Sequence, residues 1–197
     1  MEVNFQTAYF ETAYGSAKQL PASSIPEIIF CGRSNVGKSS LMNKILNRKS
    51  LAKVSSSPGK TATVNFYRIG DIRLVDLPGY GYAKISVSEK QRFADLMEGY
   101  FSQPRNIPLA VQLIDMRHPP TKDDVNMLNL YLELNMNFII ALTKSDKLKP
   151  MARKARLEEL ENELSFLSGD TVKIPFSSVT GEGAEEIKKE ILKACGL

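Results

Sequence analysis

Apolar residues recur along this chain with two different spacings. Six short runs are rich in β-branched and aromatic residues, as strands are. These runs are 27–32, 63–69, 72–77, 109–115, 138–143 and 171–177. Most of the gaps carry apolar residues three or four positions apart, as on one face of a helix. These segments are 39–48, 88–101, 123–134, 151–167 and 184–194.

The alternation of strands and helices predicts the α/β class. Such strands pair in parallel through right-handed crossovers, and helices then cover both faces of the sheet. The runs 63–69 and 72–77 are an exception, because only Gly70 and Asp71 lie between them, and they are predicted to form one antiparallel hairpin. The predicted fold therefore has three layers around a mostly parallel six-stranded sheet with one antiparallel edge strand.

The domain organisation is predicted to be simple. The chain has 197 residues, the size of one ordinary domain, and it contains no repeat or long linker. Residues 1–22 are weakly patterned, so they are expected to form an N-terminal extension that adds an edge segment or stays partly disordered. Residues 23–197 are expected to form a single domain.

Composition narrows the setting of the protein. Cys31 and Cys195 are the two cysteines, and their spacing is unlike that of a zinc site or a redox pair. No run approaches the eighteen or so apolar residues that cross a bilayer, and the N-terminus lacks the pattern of a signal peptide. The expected protein is a cytoplasmic monomer without a membrane span.

Positive charge is concentrated in one part of the chain. The formal net charge is +4, and residues 28–70 hold eight Lys or Arg and no Asp or Glu. This field has two readings, neutralisation of a phosphorylated ligand or attraction to a nucleic-acid backbone. A solvated loop is a third reading for the outer cations, which are Arg48, Lys49, Lys53 and Lys60.

The strongest motif, GRSNVGKS, follows the first strand. It matches G-x-x-x-x-G-K-[ST], in which backbone N–H groups wrap phosphates, the lysine reaches the β and γ oxygens, and the last hydroxyl binds Mg²⁺. Its residues are Gly32, Arg33, Ser34, Asn35, Val36, Gly37, Lys38 and Ser39. Its place between a predicted strand and a predicted helix is the one that phosphate binding requires.

A second motif, DLPG, ends the predicted hairpin. Asp76 is placed to hold magnesium through a water, and the N–H of Gly79 can meet a γ-phosphate. Leu77 and Pro78 join them. D-x-x-G alone is a weak signal, and its weight comes from its position downstream of a phosphate loop.

Between these motifs lies a polar loop with two threonines. Thr61 is the preferred candidate to complete the magnesium shell when a γ-phosphate is present and to let go after hydrolysis. A solvated loop threonine is the alternative. The candidate segment is Gly59, Lys60, Thr61, Ala62 and Thr63.

Two further strand ends predict a guanine site. The carboxylate of Asp146 can accept hydrogen bonds from guanine N1–H and the 2-amino group, and adenine has no such pair of donors. This base loop is Thr143, Lys144, Ser145 and Asp146. A less specific turn, Phe176, Ser177 and Ser178, could approach the base with its backbone.

These five motifs, in this order, resemble those of the translation-factor-related P-loop GTPases. Within that class, SSSPGKTATVNFY, VDLPGYGYAK and DMRHPPTKDD resemble the EngB group, also called YihA or YsxC, over residues 15–195. The resemblance implies a GTP-binding and GTP-hydrolysing switch that uses Mg²⁺. It also implies a role in assembly of the bacterial large ribosomal subunit, with ribosomal RNA among its partners and effects on cell division.

The resemblance also implies roles for individual residues. It assigns magnesium binding to Ser39, Thr61 and Asp76. It assigns γ-phosphate sensing to residues 59–63 and 76–79, and guanine contacts to residues 143–146 and 176–178. The groups expected to act in hydrolysis are Lys38, Asn35, Thr61 and Gly79.

Four positions refine this expectation. At the position of Thr143, GTPases more usually have asparagine. Threonine has no side-chain amide to tie the base loop to the phosphate loop, so ordinary rather than extreme nucleotide affinity is expected. In related GTPases an asparagine at the position of Asn35 accompanies a bound K⁺. Tyr80 replaces a water-orienting glutamine, so intrinsic turnover is expected to be slow; it either packs the loop or contacts a partner. His118, the only histidine, is expected to have a structural or partner-binding role.

Two rival functions remain open at this stage. A P-loop kinase would want ATP or an acceptor pocket, and the TKSD turn argues against it. A non-catalytic GTP sensor or division scaffold would bind GTP and release no phosphate.

Overall fold

The computed structural model describes residues 3–52, 62–81 and 86–197. Within them, seven strands form one sheet with five α-helices around it. The strands are β1 (Tyr9–Tyr14), β2 (Glu27–Gly32), β3 (Val64–Ile69), β4 (Ile72–Asp76), β5 (Leu109–Asp115), β6 (Phe138–Thr143) and β7 (Lys173–Phe176). The helices are α1 (Lys38–Ile45), α2 (Val87–Phe101), α3 (Lys122–Glu133), α4 (Pro150–Glu163) and α5 (Ala184–Ala194).

The sheet has the strand order β1-β3-β4-β2-β5-β6-β7. Strands β4, β2, β5, β6 and β7 pair in parallel, and β3 runs antiparallel to both of its neighbours. The α/β class and the single reversed strand are therefore confirmed. The reversed strand is not at the edge, however, because β1 covers it as a seventh strand. None of the residues of β1 is buried, so the run carries little hydrophobic signal in the sequence.

The predicted hairpin is confirmed as β3 and β4. Their register pairs Ile69 with Ile72, and Gly70 turns the chain between them with a φ of +53°. Glycine populates this left-handed region at no steric cost. The hairpin brings the end of β4 to the same sheet edge as the end of β2.

Apolar side chains fill both faces of the sheet. Helices α1 and α5 pack on one face through residues such as Leu41 and Ile187, whereas α2, α3 and α4 cover the other face. The starts of α2 and α3 carry capping boxes, in which Ser86 and Thr121 exchange hydrogen bonds with the third residue of each helix. The predicted layer of helices on each face is thus confirmed.

A buried ion network joins β1 to the sheet at the end away from the phosphate loop. Arg73 of β4 donates to Glu11 of β1 through two nitrogens, at 2.7 and 2.9 Å. Its third nitrogen lies 3.7 Å from the fully buried Glu27, which also accepts from Arg105 at 3.0 Å and from the Tyr100 hydroxyl at 2.7 Å. This network fixes the N-terminal strand against the sheet.

Cys31 is buried and Cys195 half-buried, and neither is in a disulfide. Burial raises the pKa of the Cys31 thiol to about 12. No helix in the described ranges has the length and apolar composition needed to cross a membrane.

Candidate functional site

A cavity of about 350 Å³ opens at the carboxyl ends of the parallel strands. Ligands of open α/β sheets bind at this edge. The cavity is lined by residues 33–40, Gly79, Thr143, Lys144, Asp146, Lys147, Phe176, Ser178 and Val179. Residues from four of the predicted motifs therefore meet around one space.

The phosphate loop connects β2 to α1. Gly37 precedes the helix with a φ of +107°, and Asn35 is also left-handed at +62°. A Cβ on Gly32 would lie 2.9 Å from Val36 Cγ1 and 3.0 Å from Leu113 Cβ, so only glycine fits there without a shift. The loop thus presents the N-terminus of α1 to the cavity, and the backbone N–H groups of a helix N-terminus favour phosphate.

Lys38 and Asp76 are adjacent at the phosphate end of the cavity. The Lys38 ammonium forms an ion pair and a hydrogen bond with Asp76 Oδ1. Asn65 Nδ2 donates to the other carboxylate oxygen at 3.3 Å, and Asn65 Oδ1 accepts from the Thr63 hydroxyl at 3.1 Å. With Ser39 in the cavity wall, the chain collects a lysine, a hydroxyl and a carboxylate where a phosphate and a hard cation are expected.

The segment after Asp76 lies against the phosphate loop. Leu77 and Pro78 are buried and do not line the cavity, whereas Gly79 does. A Cβ on Gly79 would lie 3.1 Å from Ser34 N, so its close approach favours glycine. The Tyr80 carbonyl accepts from Ser34 N at 2.8 Å. Gly79 is therefore held at the phosphate end of the site.

The described residues include only the last two positions of the predicted γ-phosphate loop. Gly59, Lys60 and Thr61 lie outside the described residues. Ala62 and Thr63 are half-buried, and the described lining of the cavity includes neither. The assignment of Thr61 to magnesium stays a prediction.

Thr143 ties the base loop to the phosphate loop. Its hydroxyl lies 2.7 Å from the carbonyl oxygen of Val36, to which it donates. Lys144 Nζ adds a second link, donating to the Asn35 carbonyl at 3.0 Å. The Thr143 hydroxyl group thus ties the two loops without a side-chain amide, and the expected ordinary nucleotide affinity stays a prediction.

The Asp146 carboxylate, which is predicted to recognise guanine, is held by the residue that follows β7. The Ser177 hydroxyl donates to Asp146 Oδ1 at 2.8 Å and accepts from the backbone N–H groups of Val179 and Thr180. The hydrogen bond from Ser177, aided by Lys147, lowers the pKa of Asp146, so the acceptor stays ionised. Ser177 is fully buried and supports Asp146 from behind, whereas Ser178 lines the cavity.

Three residues that sequence reasoning missed support the base loop. Glu182 accepts from the Ser145 hydroxyl at 2.7 Å and forms an ion pair with Arg153 of α4. The Arg153 hydrogen bond lowers the pKa of Glu182. Asp115, at the end of β5, pairs with Lys144 at 2.9 Å and Arg117 at 2.8 Å. Apart from the pair Asp115 and Arg117, these contacts join residues distant in sequence, so no local spacing predicts them.

The Asp115 carboxylate stays ionised at a pH well below the one at which aspartate is ordinarily protonated. Partial burial alone would raise its pKa, but the hydrogen bonds from Arg117 and Lys144 outweigh that effect, and the pKa lies well below the ordinary aspartate value. His118 in the same loop is exposed and is not part of the cavity lining. Its carbonyl accepts from Arg156 Nη2 at 2.9 Å, which fixes the loop on α4.

Tyr80 packs inside the protein, which decides between the two readings of its role. The residue is 7 % exposed, and its hydroxyl donates to Asp124 at 2.7 Å. Burial, and then the Asp124 carboxylate, raises the pKa of Tyr80 far above the ordinary tyrosine value, so the hydroxyl stays protonated. Tyr82 lies outside the described residues.

Comparisons with known proteins agree with this geometry. Residues 27–144 match the model of a family described as "50S ribosome-binding GTPase". A "Probable GTP-binding protein EngB" of Syntrophomonas wolfei is 45% identical over 189 residues, which cover 95% of this chain and 96% of the relative. A protein of the same name from Bacillus cytotoxicus is 47% identical over 176 residues, 89% of this chain and 88% of the relative.

Solved structures show the same fold. The crystal structure of a probable GTP-binding protein engB superposes with a TM-score of 0.72 at 25% identity, covering 86% of this chain and 98% of that one. A variant of Aquifex aeolicus Era bound to GDP·AlF4⁻ shares the fold at a TM-score of 0.63 and 22% identity, over 86% of this chain and 57% of Era. Sequence, fold and cavity agree, and the chain belongs to the EngB family of P-loop GTPases.

Proposed function

We propose that this protein is a GTP-hydrolysing switch in the assembly of the bacterial large (50S) ribosomal subunit, with effects on cell division. One observation carries the proposal: the phosphate loop 32–39, Gly79 and the base loop 143–146 meet around one cavity. The matching family's description, "50S ribosome-binding GTPase", supports the choice of partner.

The cavity suggests how GTP would be oriented. Lys38 and the N–H groups before α1 would hold the phosphates. Asp146 would accept from N1–H and the 2-amino group of guanine, with Lys144 covering the base and the turn at 176–178 beside it. The ties from Thr143 and Lys144 to the phosphate loop fix the spacing between the two ends of the nucleotide.

Residues that fit Mg²⁺ lie at the phosphate end. Ser39, Thr61 and Asp76 would hold the ion, and hydroxyl and carboxylate oxygens are the donors that Mg²⁺ prefers. When bound with GTP, Mg²⁺ neutralises developing charge on the β- and γ-phosphates. The chain itself supplies Lys38 and the backbone amides of the phosphate loop at the same oxygens.

Intrinsic hydrolysis is proposed to be slow. The Tyr80 hydroxyl is occupied by Asp124, so it does not orient a water. The group that is missing for hydrolysis is proposed to come from a cation, such as K⁺ held beside Asn35, from a water network or from the ribosomal partner. Replacing K⁺ by Na⁺ should then slow turnover, and Asn35→Ala should abolish that difference. Equal rates of the unaltered protein in both salts would exclude the K⁺ role.

The ribosomal role is tested by two linked measurements. Phosphate release is measured with and without purified large subunits, and co-sedimentation with those subunits is measured in GTP and in GDP at several salt concentrations. Stimulated hydrolysis and binding that is stronger with GTP are expected, with binding weakened by salt because cations such as Arg48 and Lys49 would meet RNA phosphates. Binding indifferent to nucleotide and salt would contradict the switch.

Competition between ATP and labelled GTP, together with phosphate release, distinguishes the proposed function from its two rivals. A kinase would prefer ATP, so excess ATP would displace labelled GTP. A non-catalytic sensor would bind GTP and release no phosphate even beside ribosomes. The proposal includes that the protein acts in the cytoplasm as a monomer and that residues 23–197 form its G domain.

A further inference from the structure

Tyr80 links the segment after Gly79 to the interior of the second helix layer. Its hydroxyl donates to Asp124 Oδ1 at 2.7 Å and accepts from Gln112 Nε2 at 2.5 Å. Gln112 is fully buried on β5, and its side-chain oxygen Oε1 accepts from the Tyr131 hydroxyl at 3.1 Å. This chain of buried hydrogen bonds runs between β5 and α3 and ends beside the cavity.

Asp124 shares its carboxylate between Tyr80 and the start of α3. One oxygen accepts from the Tyr80 hydroxyl, and the other accepts from Thr121 N and Oγ1 at 2.8 and 2.7 Å. Asp124 is 3% exposed, so water does not replace these partners easily. The position of the tyrosine ring is therefore tied to the N-terminus of α3.

The backbone of Tyr80 is fixed from the opposite side. Its carbonyl accepts from Ser34 N at 2.8 Å, and its N–H donates to the Gly32 carbonyl at 3.4 Å. Gly79, one residue earlier, faces the cavity and has almost no space between itself and Ser34. Gly79 is thus held by two anchors of Tyr80, which are its backbone bonds to the phosphate loop and its hydroxyl bond to Asp124, and loss of the second leaves only the first to fix its position.

We infer that Tyr80 is a positioning residue for the γ-phosphate: its hydrogen bond to Asp124 holds Gly79 at the phosphate end of the cavity and so favours GTP over GDP. The inference rests on the proposed function, in which Gly79 meets the γ-phosphate. Tyr80 itself touches no phosphate. GDP lacks the γ-phosphate, so its binding does not depend on where Gly79 lies.

The test is Tyr80→Phe, which keeps the ring and removes the hydroxyl group. Dissociation constants for GDP and for a non-hydrolysable GTP analogue are measured by calorimetry with Mg²⁺ present. Loss of one hydrogen bond of ordinary strength should lower the preference for the analogue over GDP about five-fold. The GDP constant should change less than about two-fold on the same reasoning.

Tyr100→Phe is the matched control. Tyr100 is fully buried and donates to the carboxylate of Glu27 at 2.7 Å, the same donor, acceptor type and distance. Glu27 begins β2, however, at the end of the sheet opposite the cavity. The control therefore loses an equivalent buried hydrogen bond and should keep the unaltered preference between the two nucleotides.

The outcomes separate the inference from the proposed function. If Tyr80→Phe keeps the nucleotide preference of Tyr100→Phe, the positioning role is wrong. If Tyr80→Phe does not fold, Asp124→Ala removes the same hydrogen bond from the other side and must lower the preference, or the inference fails. If the unaltered protein binds neither guanine nucleotide, the proposed function itself is overturned.

Discussion

The hydroxyl of Thr143 can be removed with little change of shape by Thr143→Val. Thr143 and Val36 are 1% and 4% exposed, so the Val36 carbonyl would lose its partner in a site that water hardly reaches. Leaving a buried acceptor unpaired costs about 1–3 kcal/mol. Part of this cost falls on folding, and part falls on binding, because nucleotide must then hold the two loops together.

Thr143→Val has two expected results, one on stability and one on nucleotide binding. The free energy of unfolding should fall by about 1–2 kcal/mol, because the hydrogen bond is present in the folded protein without nucleotide. GDP and GTP should both bind about five-fold more weakly, which corresponds to about 1 kcal/mol. Urea denaturation gives the first quantity, and titration with a fluorescent guanine nucleotide gives the second.

Thr143→Ser is the control, because it keeps the hydroxyl group and loses only the methyl group. It should retain nucleotide affinity even if it loses some stability through the small cavity left behind. Should serine and valine weaken binding equally, the tie between the loops would be irrelevant and the reasoning refuted. A loss with valine that affected GTP alone would also contradict it, since the tie acts on both ends of either nucleotide.

Three further predictions concern the supporting contacts. Asp115→Asn should reduce acid sensitivity: the lowered pKa gives stability that is complete above the ordinary aspartate pKa of about 3.9 and is lost as pH falls toward the native pKa. Urea unfolding at pH 5 and pH 3 should show a larger loss for the unaltered protein, and equal losses would contradict this. Arg153→Ala should weaken guanine-nucleotide binding about three-fold, because it frees Glu182 from α4. Lys154 is an exposed neighbour, and Lys154→Ala should leave binding unchanged. If titration with a guanine nucleotide showed equal effects of both substitutions, Arg153 would not support the base loop through Glu182. Glu11→Ala should lower the free energy of unfolding by about 1–3 kcal/mol, because Arg73 keeps a buried charge, whereas Asp71→Ala should stay within about 0.5 kcal/mol; matching urea midpoints would refute that difference.

The sequence predicts the central elements best. The predicted bounds of β5 and β6 equal the observed ones, because these strands are buried on both faces and are almost entirely apolar, with Gln112 as a polar residue inside β5. α4 is shorter than its pattern: the helix ends at Glu163, although Leu164 and Leu167 are still buried beyond it. β1 escapes periodicity because both of its faces are partly exposed.

The site divides in the same way. Phosphate binding requires glycines and a lysine at fixed short spacings, so a local string predicts the loop 32–39 and the edge of the sheet where it lies. The partners of Thr143, Glu182 and Tyr80 come from loops, strands and helices far along the chain. No local spacing records them, because the sheet order alone makes them neighbours.

The position of β1 has a consequence for how the chain assembles. Among the strands that the structure describes, β1 comes first in sequence, yet its one neighbour in the sheet is β3, which begins at Val64 and ends at Ile69. During synthesis from the N-terminus, Tyr9–Tyr14 must therefore wait, unpaired, until the following hairpin has been made. Pairs so distant in sequence carry a large loop-closure entropy and form slowly. The strand that is made first is thus expected to join late, with the contact between Glu11 and Arg73 completing the sheet.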